Sequence, residues 1–289
     1  MTDKPSLCVG LIGTDIQLSK SPALHMREGA AQGIDYRYEL LDIQARNLPE
    51  SALPDLLAEC EARGFAGTNI THPFKQAVIP LLDDLSEDAR MLGAVNTVVL
   101  RDGKRVGHNT DWSGFYESFQ RGLPDVKRDR ALLIGAGGAG VAVAHAALKL
   151  GIGRLDIVDQ APAKAETLAE ELSSRFGAGR AVAVTDAGQS LAQADGLIHA
   201  TPVGMPAHPG IPVSADLIEP RHWVADIVYM PLITDLIAAA RQKGCHTMPG
   251  GGMAVFQAVG AFRLFSGREP DAERMSAHFA ELCASEGIA

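Results

Sequence analysis

The chain has 289 residues, 46% hydrophobic and 21% charged, the composition of an ordinary globular protein with length for about two domains. A formal net charge of −9 without any Lys/Arg cluster argues against nucleic acid as a partner. Cys8, Cys60, Cys245 and Cys283 lie far apart with no C-x-x-C spacing, and no signal-peptide pattern opens the chain, which predicts free thiols, no metal and a cytoplasmic location.

From Ser6, "SLCVGLIG" predicts a short buried strand, and "SPALHMREGAAQG" a helix opened by Ser21 and Pro22 and closed near Gly33. "YRYELLDI" follows as a strand, "LPESALPDLLAECEARG" as a helix stopped at Gly64, and "FAGTNI" as another short strand. Strands alternating with helices of this length indicate parallel βαβ units. Next comes "GTNITHPFKQ", dense in polar groups, as both surface loops and substrate pockets are. "AVNTVVLRDG" and "KRVGHNT" pair around Asp102 and Gly103, a hairpin signal, and "TDWSGFYESFQRG" reads as a helix. Near Asp129 a second unit begins, with strands "RALLIG", "RLDIVD", "RAVAV", "GLIHA" and "WVADIV" separated by helices. Two final helical segments are expected to pack back on the first domain. The fold class expected is therefore α/β. A substrate-binding domain covers 1–107, completed by about 240–289, a Rossmann-type dinucleotide-binding domain covers 108–239, and a cleft lies between them.

The segment Ala131–Gly151 is nearly long enough to cross a bilayer, but its glycines gather between a strand-like and a helix-like half, and no membrane span is expected. It contains Gly135-x-Gly137-x-x-Gly140, a weak signal alone. Here an apolar strand precedes it, a helix follows, and Asp159 ends the next strand 19 residues after Gly140. Gly135, Ala136, Gly137, Gly138, Ala139 and Gly140 would bring backbone and helix N–H groups to a pyrophosphate. Asp159 would accept the ribose hydroxyls and repel a 2′-phosphate, which predicts NAD over NADP; its plainer role is to cap the following turn. Arg154 and Lys164 are near enough in sequence to blur that preference.

A dehydrogenase oxidising an alcohol must also pass a proton to a base, and without zinc-ligand spacing a side chain must take it. The histidines are scattered, with His72 and His108 the two beside polar motifs. "GTNITHPFK", "GAVNTVV", "GHNTDWSGF", "ATPVGM", "DIVYMPLIT" and "GGGMAVFQA" occur in the order found in the shikimate dehydrogenase family, and the chain resembles that family over almost its whole length. The resemblance implies interconversion of shikimate and 3-dehydroshikimate, or of the quinate pair, with a nicotinamide cofactor. It implies Lys75 and Asp111 as the catalytic pair and Asn69, Thr71, Asn96 and Gln257 as ligands of the ring hydroxyls. Ser19 and Ser21 resemble holders of the substrate carboxylate, and Tyr229 a residue lining the substrate site. Thr201, Met205 and Ile227 resemble cofactor contacts, with Gly250 and Met253 near the nicotinamide end. Each has a plainer reading: Lys75 a solvated charge, Ser21 an N-cap, Asn96 a turn residue, Gln257 an exposed helix position. As an ammonium, Lys75 can give a proton to a forming alkoxide; in oxidation either member of the pair can be the base.

Leu18 and Met26 stand where biosynthetic family members commonly carry His and Asn, and "VDQAPAK" replaces a basic stretch after the second cofactor strand. Both differences pull toward the NAD-using quinate/shikimate or aminoshikimate branches. There a threonine at the second hydroxyl position is associated with quinate, so Ser21 favours shikimate. The expectation is an NAD-dependent shikimate dehydrogenase acting on a small cyclic hydroxy acid, as a monomer or homodimer. The alternatives are quinate or aminoshikimate as substrate, or a non-catalytic dinucleotide sensor.

Overall fold

The structure is a computed structural model describing residues 5–285. The described chain runs β1 (Ser6–Gly13), α1 (Ser21–Ala31), β2 (Asp35–Asp42), α2 (Leu53–Ala62), β3 (Gly67–Ile70), α3 (Phe74–Ala77), β4 (Asp84–Leu85), α4 (Glu87–Leu92), β5 (Thr97–Arg101) and β6 (Lys104–His108). It continues with α5 (Asp111–Gly122), β7 (Arg130–Ile134), α6 (Gly138–Lys149), β8 (Arg154–Val158), α7 (Pro162–Phe176), β9 (Ala181–Ala183), α8 (Ala187–Leu191) and β10 (Gly196–His199). The last elements are β11 (Trp223–Asp226), α9 (Asp235–Gln242), β12 (His246–Met248), α10 (Gly251–Ser266) and α11 (Ala272–Ser285). Two compact units result. One holds the described residues up to Thr110 together with Gln257–Leu282, and the other holds Asp111–Phe256 and the described residues from Cys283 on. Among the described residues no helix is long and apolar enough to cross a membrane, and the glycine-rich stretch divides between β7 and α6.

In the first unit the described strands lie in the order β2-β1-β3-β5-β6-β4, with β2, β1 and β3 parallel and β5 antiparallel to both β3 and β6. Asp102 and Gly103 turn the β5–β6 hairpin with φ of 54° and 71°, which a two-residue turn of this hand requires. Alternate residues of β1 enter different apolar clusters: Ile12 joins Leu41, Leu57, Phe74 and Val98, while Val9 and Leu11 join Tyr36, Tyr38, Phe262 and Phe265. A strand apolar on both faces needs cover on both, and the returning C-terminal helices supply part of the second. A Cβ on Gly67 would sit 2.4 Å from the Phe265 ring, so only glycine lets α10 rest on β3. The return is clamped by Glu28 of α1, a buried carboxylate that accepts Arg274 Nε at 2.8 Å, Arg274 Nη2 at 2.7 Å and the Asp271 N–H at 3.0 Å.

The second unit is a parallel sheet in the order β12-β11-β10-β7-β8-β9 among the described strands. Counted from β7, this is the doubly wound order 3-2-1-4-5-6 of dinucleotide-binding sheets. The edge strand β12 is only His-Thr-Met, with no apolar run to announce it, and it carries the second unit on to Phe256.

His25 of α1 is fully buried among the rings of Tyr36, Tyr38, Phe262 and Phe265, and burial pushes its pKa down to about 3. An unfolded chain protonates a histidine near pH ~6.5, so protons favour the unfolded state below that pH, by up to about 1.4 kcal/mol per pH unit from this site. The first unit should therefore lose thermal stability as pH falls from about 6.5 toward 4. His25→Phe should flatten that slope, and an unchanged slope in Tm against pH would contradict the assignment.

Candidate active site

In open α/β sheets, ligands bind beyond the C-terminal ends of the strands. In the first unit β1 ends at Gly13 and β3 at Ile70, and the segments that follow carry Ser19, Ser21, Thr71 and Lys75. A Cβ on Gly13 would lie 2.3 Å from Thr71 Cγ2; its absence lets the two segments meet through Thr71 N–H to Ile12 O at 3.0 Å and Thr14 N–H to His72 O at 3.1 Å. Ser19 Oγ accepts the Ser21 N–H at 3.3 Å, which brings both serines to the entrance of α1. Lys20, not Ser21, holds the N-cap position, and no side-chain cap bond is made there. Lys75 lies on α3, half-buried, and its carbonyl accepts the Val95 N–H at 2.8 Å. The His72 side chain is exposed; His108 is half-buried, and burial lowers its pKa.

Next to Val95 stands Asn96, 3% exposed, at the centre of a closed polar cluster. Its Oδ1 accepts the Thr110 N–H at 2.7 Å and the Thr97 hydroxyl at 3.1 Å. Its Nδ2 donates to Thr110 Oγ1 at 3.0 Å and Gln257 Oε1 at 3.4 Å. Asn69 Nδ2 donates to Asn96 O at 3.1 Å and Thr97 Oγ1 at 2.9 Å, and its Oδ1 accepts the Tyr38 hydroxyl at 2.8 Å. The structure thus brings Asn69, Asn96 and Gln257 together and adds Tyr38, Thr97 and Thr110. The two threonines lie inside the motifs "AVNTVV" and "HNTDW"; nothing in the sequence marks Tyr38, which alternates along β2 like any core residue. Asp111, buried, follows Thr110 directly. Lys75 is therefore tied to the Asn96 cluster through the Val95 backbone, and Asp111 through its peptide bond to Thr110.

In the second unit Gly135 has φ +106°, and a Cβ there would lie 2.6 Å from Ala200 O and 2.8 Å from Thr201 Cγ2. A Cβ on Gly140 would lie 2.1 Å from Gly135 O, whereas one on Gly137 would meet nothing within 4 Å. Two glycines thus allow close backbone approach, and the third borders open space. Gly137 is the N-cap of α6 and makes no side-chain cap bond, so the first-turn N–H groups, Gly138 and Ala139 among them, stay available to an anion. Asp159 Oδ2 accepts the Ala136 N–H at 2.7 Å and its Oδ1 the Ala161 N–H at 2.9 Å, which fixes a carboxylate beside this loop. Arg154 Nε is engaged 2.8 Å from Asp156 Oδ1, and Lys164 is exposed in the first turn of α7. These residues fit a dinucleotide: a side-chain-free cradle, a helix N-terminus for the pyrophosphate and an acid for the ribose.

Beyond β11, a Cβ on Gly250 would lie 2.4 Å from Ile227 O and 2.5 Å from Val228 O, so this approach too needs glycine. Met205 is exposed in the segment after β10, while Met253 packs in the apolar core of the unit with Phe119 and Trp223. Burial raises the pKa of the Tyr229 hydroxyl.

Residues 11–98 match the family model for the shikimate dehydrogenase substrate binding domain, and residues 117–207 match that for shikimate / quinate 5-dehydrogenase. The chain belongs to the shikimate dehydrogenase family. A shikimate dehydrogenase (NADP(+)) of Streptomyces avermitilis is 54% identical over 285 residues, covering 98% of each chain. A quinate/shikimate dehydrogenase (NAD(+)) of Corynebacterium efficiens is 47% identical, covering 96% of this chain and 99% of that one. Among solved structures, quinate dehydrogenase from Corynebacterium glutamicum in complex with NAD aligns with a TM-score of 0.91 at 45% identity, over 96% of this chain and 99% of that one. Shikimate 5-dehydrogenase from Thermus thermophilus in complex with NADP(H) and shikimate aligns at 0.82 and 34% identity, over 95% of this chain and 99% of that one. These family relatives are named as dehydrogenases, and a non-catalytic sensor is not favoured.

Because the Cβ of an alanine at 140 would collide with backbone rather than with a flexible side chain, Gly140→Ala should weaken NADH binding by about tenfold or more, read by calorimetry. Unchanged affinity would remove the glycine loop from the site.

Proposed function

We propose that the protein interconverts shikimate and 3-dehydroshikimate, preferring NAD, with Lys75 and Asp111 as the proton-transfer pair. The observation that carries this reading is the cluster of buried Asn69, Thr97, Asn96 and Thr110 with half-buried Gln257, to which both residues are joined. A ring acid bearing several hydroxyls needs donors and acceptors at fixed positions, and amides locked by their neighbours do not have to be ordered at the moment of binding. Ser19 and Ser21 would hold the carboxylate at the entrance to α1, Thr71, Tyr229 and the amides would hold the ring hydroxyls, and no metal is called for.

The nicotinamide, when bound, supplies the hydride acceptor for oxidation and the hydride donor for reduction. The remaining chemistry is proton transfer at one oxygen. In reduction Lys75 Nζ, as an ammonium, gives its proton to the alkoxide forming on the ring; in oxidation the hydroxyl proton returns to the Lys75/Asp111 pair. Either member could take that proton, so the base is assigned to the pair.

For the cofactor, Asp159 supports NAD: its oxygens still have lone pairs for ribose hydroxyls, and its charge opposes a 2′-phosphate. Arg154, which could have offset that charge, is paired with Asp156 instead. Quinate is the second reading, favoured by the likeness to the quinate dehydrogenase bound to NAD.

Lys75→Ala should lower kcat by about 100- to 10,000-fold while leaving the Kd for NADH unchanged. Equal losses in both would sink the proton-transfer role. Asp159→Ser should raise the ratio of kcat/KM for NADP over that for NAD by about tenfold or more, and a ratio that stays put would take cofactor choice away from Asp159.

A further inference from the structure

His199 and Asp226 are register partners at the C-terminal ends of β10 and β11, and both side chains are fully buried. Asp226 Oδ1 takes His199 Nδ1 at 3.0 Å and the Val228 N–H at 2.9 Å, and its Oδ2 takes the Thr234 hydroxyl at 2.7 Å. The other ring nitrogen, Nε2, lies 2.5 Å from Thr201 Oγ1. A carboxylate offers only acceptors, so Nδ1 carries a proton, and in the neutral ring Nε2 is then an acceptor. With the ring neutral, the Thr201 hydroxyl proton points at His199. Thr201 Oγ1 is left as an acceptor, already near the Val203 N–H at 3.3 Å.

This chain of bonds ends at the glycine loop, since Thr201 Cγ2 lies 2.8 Å from where a Cβ on Gly135 would be. The same carboxylate also fixes the Val228 N–H, and the Val228 carbonyl is one of the two that approach Gly250. Thr234, the third donor, caps α9 through the Ile237 N–H at 3.2 Å, and its Cγ2 lies 3.4 Å from where a Cβ on Gly204 would be. One buried carboxylate thus holds both segments that carry Thr201, Met205 and Ile227.

We propose that Asp226–His199–Thr201 is a positioning chain for the nicotinamide half of the dinucleotide, in which His199 holds the Thr201 hydroxyl as a hydrogen-bond acceptor facing the cofactor. The proposal rests on the reading of the second unit as dinucleotide-binding with Thr201 as a contact. His199 touches no cofactor and acts only through Thr201.

The test compares two substitutions of equal size. Asparagine at 199 can donate to Asp226 and accept from Thr201, whereas leucine fills the same space without either bond. NADH affinity of the purified protein, read by fluorescence titration, should fall about tenfold in His199→Leu and stay within about threefold of the parent in His199→Asn. ADP, which lacks the nicotinamide half, should bind both variants as it binds the parent. Thr201→Val should match His199→Leu, Thr201→Ser should not, and adding Thr201→Val to His199→Leu should cost nothing more. Equal losses in His199→Asn and His199→Leu, or additive losses in the double variant, would reduce His199 to packing and overturn the proposal. Should His199→Leu fail to fold, the same additivity is read with His199→Met, which also fills the space without either bond. If Thr201→Val binds NADH normally while Gly140→Ala does not, the Thr201 contact is wrong and the chain falls with it. If the parent binds neither NADH nor ADP, the dinucleotide reading itself has failed.

Discussion

Asn96 is a primary amide taken out of water, and the first unit is arranged around satisfying it. Leaving a buried donor or acceptor unpaired costs about 1–3 kcal/mol. Here both ends of the amide have partners from three segments: Thr97 beside it, Thr110 after the hairpin, and Gln257 from the returning helix. The hairpin turn at Asp102 and Gly103 matters to the site because it brings Thr110 back to Asn96, and with Thr110 comes Asp111. The glycine at 67 matters for the same reason, since it admits the helix that carries Gln257. Lys75 is joined through the Val95 N–H on the other side of Asn96. Asn69, Gln257, Lys75 and Asp111 are thus all joined to one satisfied amide rather than to separate supports.

The second unit solves a similar problem with a carboxylate. Asp226 is buried, and a buried charge is tolerated only when its lone pairs are taken. His199, Val228 and Thr234 take them, and each of these partners leads to a segment at the C-terminal end of the sheet. Glycines do the remainder: Gly135, Gly140 and Gly250 each stand where any side chain would strike a carbonyl oxygen. The cradle we propose for the cofactor is therefore defined by backbone approach on one side and by a hydrogen-bonded carboxylate on the other.

Much of this was legible in the sequence because its causes are local. The glycine fingerprint, the acid ending the next strand, the Asp-Gly hairpin and the alternation of strand and helix are short-range patterns, and the two sheets follow from them. The polar motifs around Lys75 and Asp111 also stood out by composition and order. The partners of those motifs did not. Tyr38 alternates along β2 as a core residue would, and only the pairing of β2, β1 and β3 carries its hydroxyl to Asn69. His199 lies in an apolar strand, and its link to Asp226 exists only once β10 and β11 are in register. The short elements α3, β4, α4 and β12 lack the length for a periodic pattern. Arg154 looked like a neighbour of Asp159 in sequence, yet strand direction puts it at the start of β8 and Asp159 just past its end.

The relatives differ in cofactor and in named substrate: the Streptomyces protein at 54% identity is named for shikimate with NADP, and the Corynebacterium efficiens protein at 47% for quinate/shikimate with NAD. Overall identity therefore decides neither question, and we assign them to the side chains at Asp159 and Ser21. The most direct measurement is initial rates of the purified protein with NAD or NADP against shikimate or quinate. The highest kcat/KM is expected for NAD with shikimate. A higher value with NADP would contradict the role given to Asp159, a higher value with quinate would contradict that given to Ser21, and no turnover in any combination would contradict the function itself.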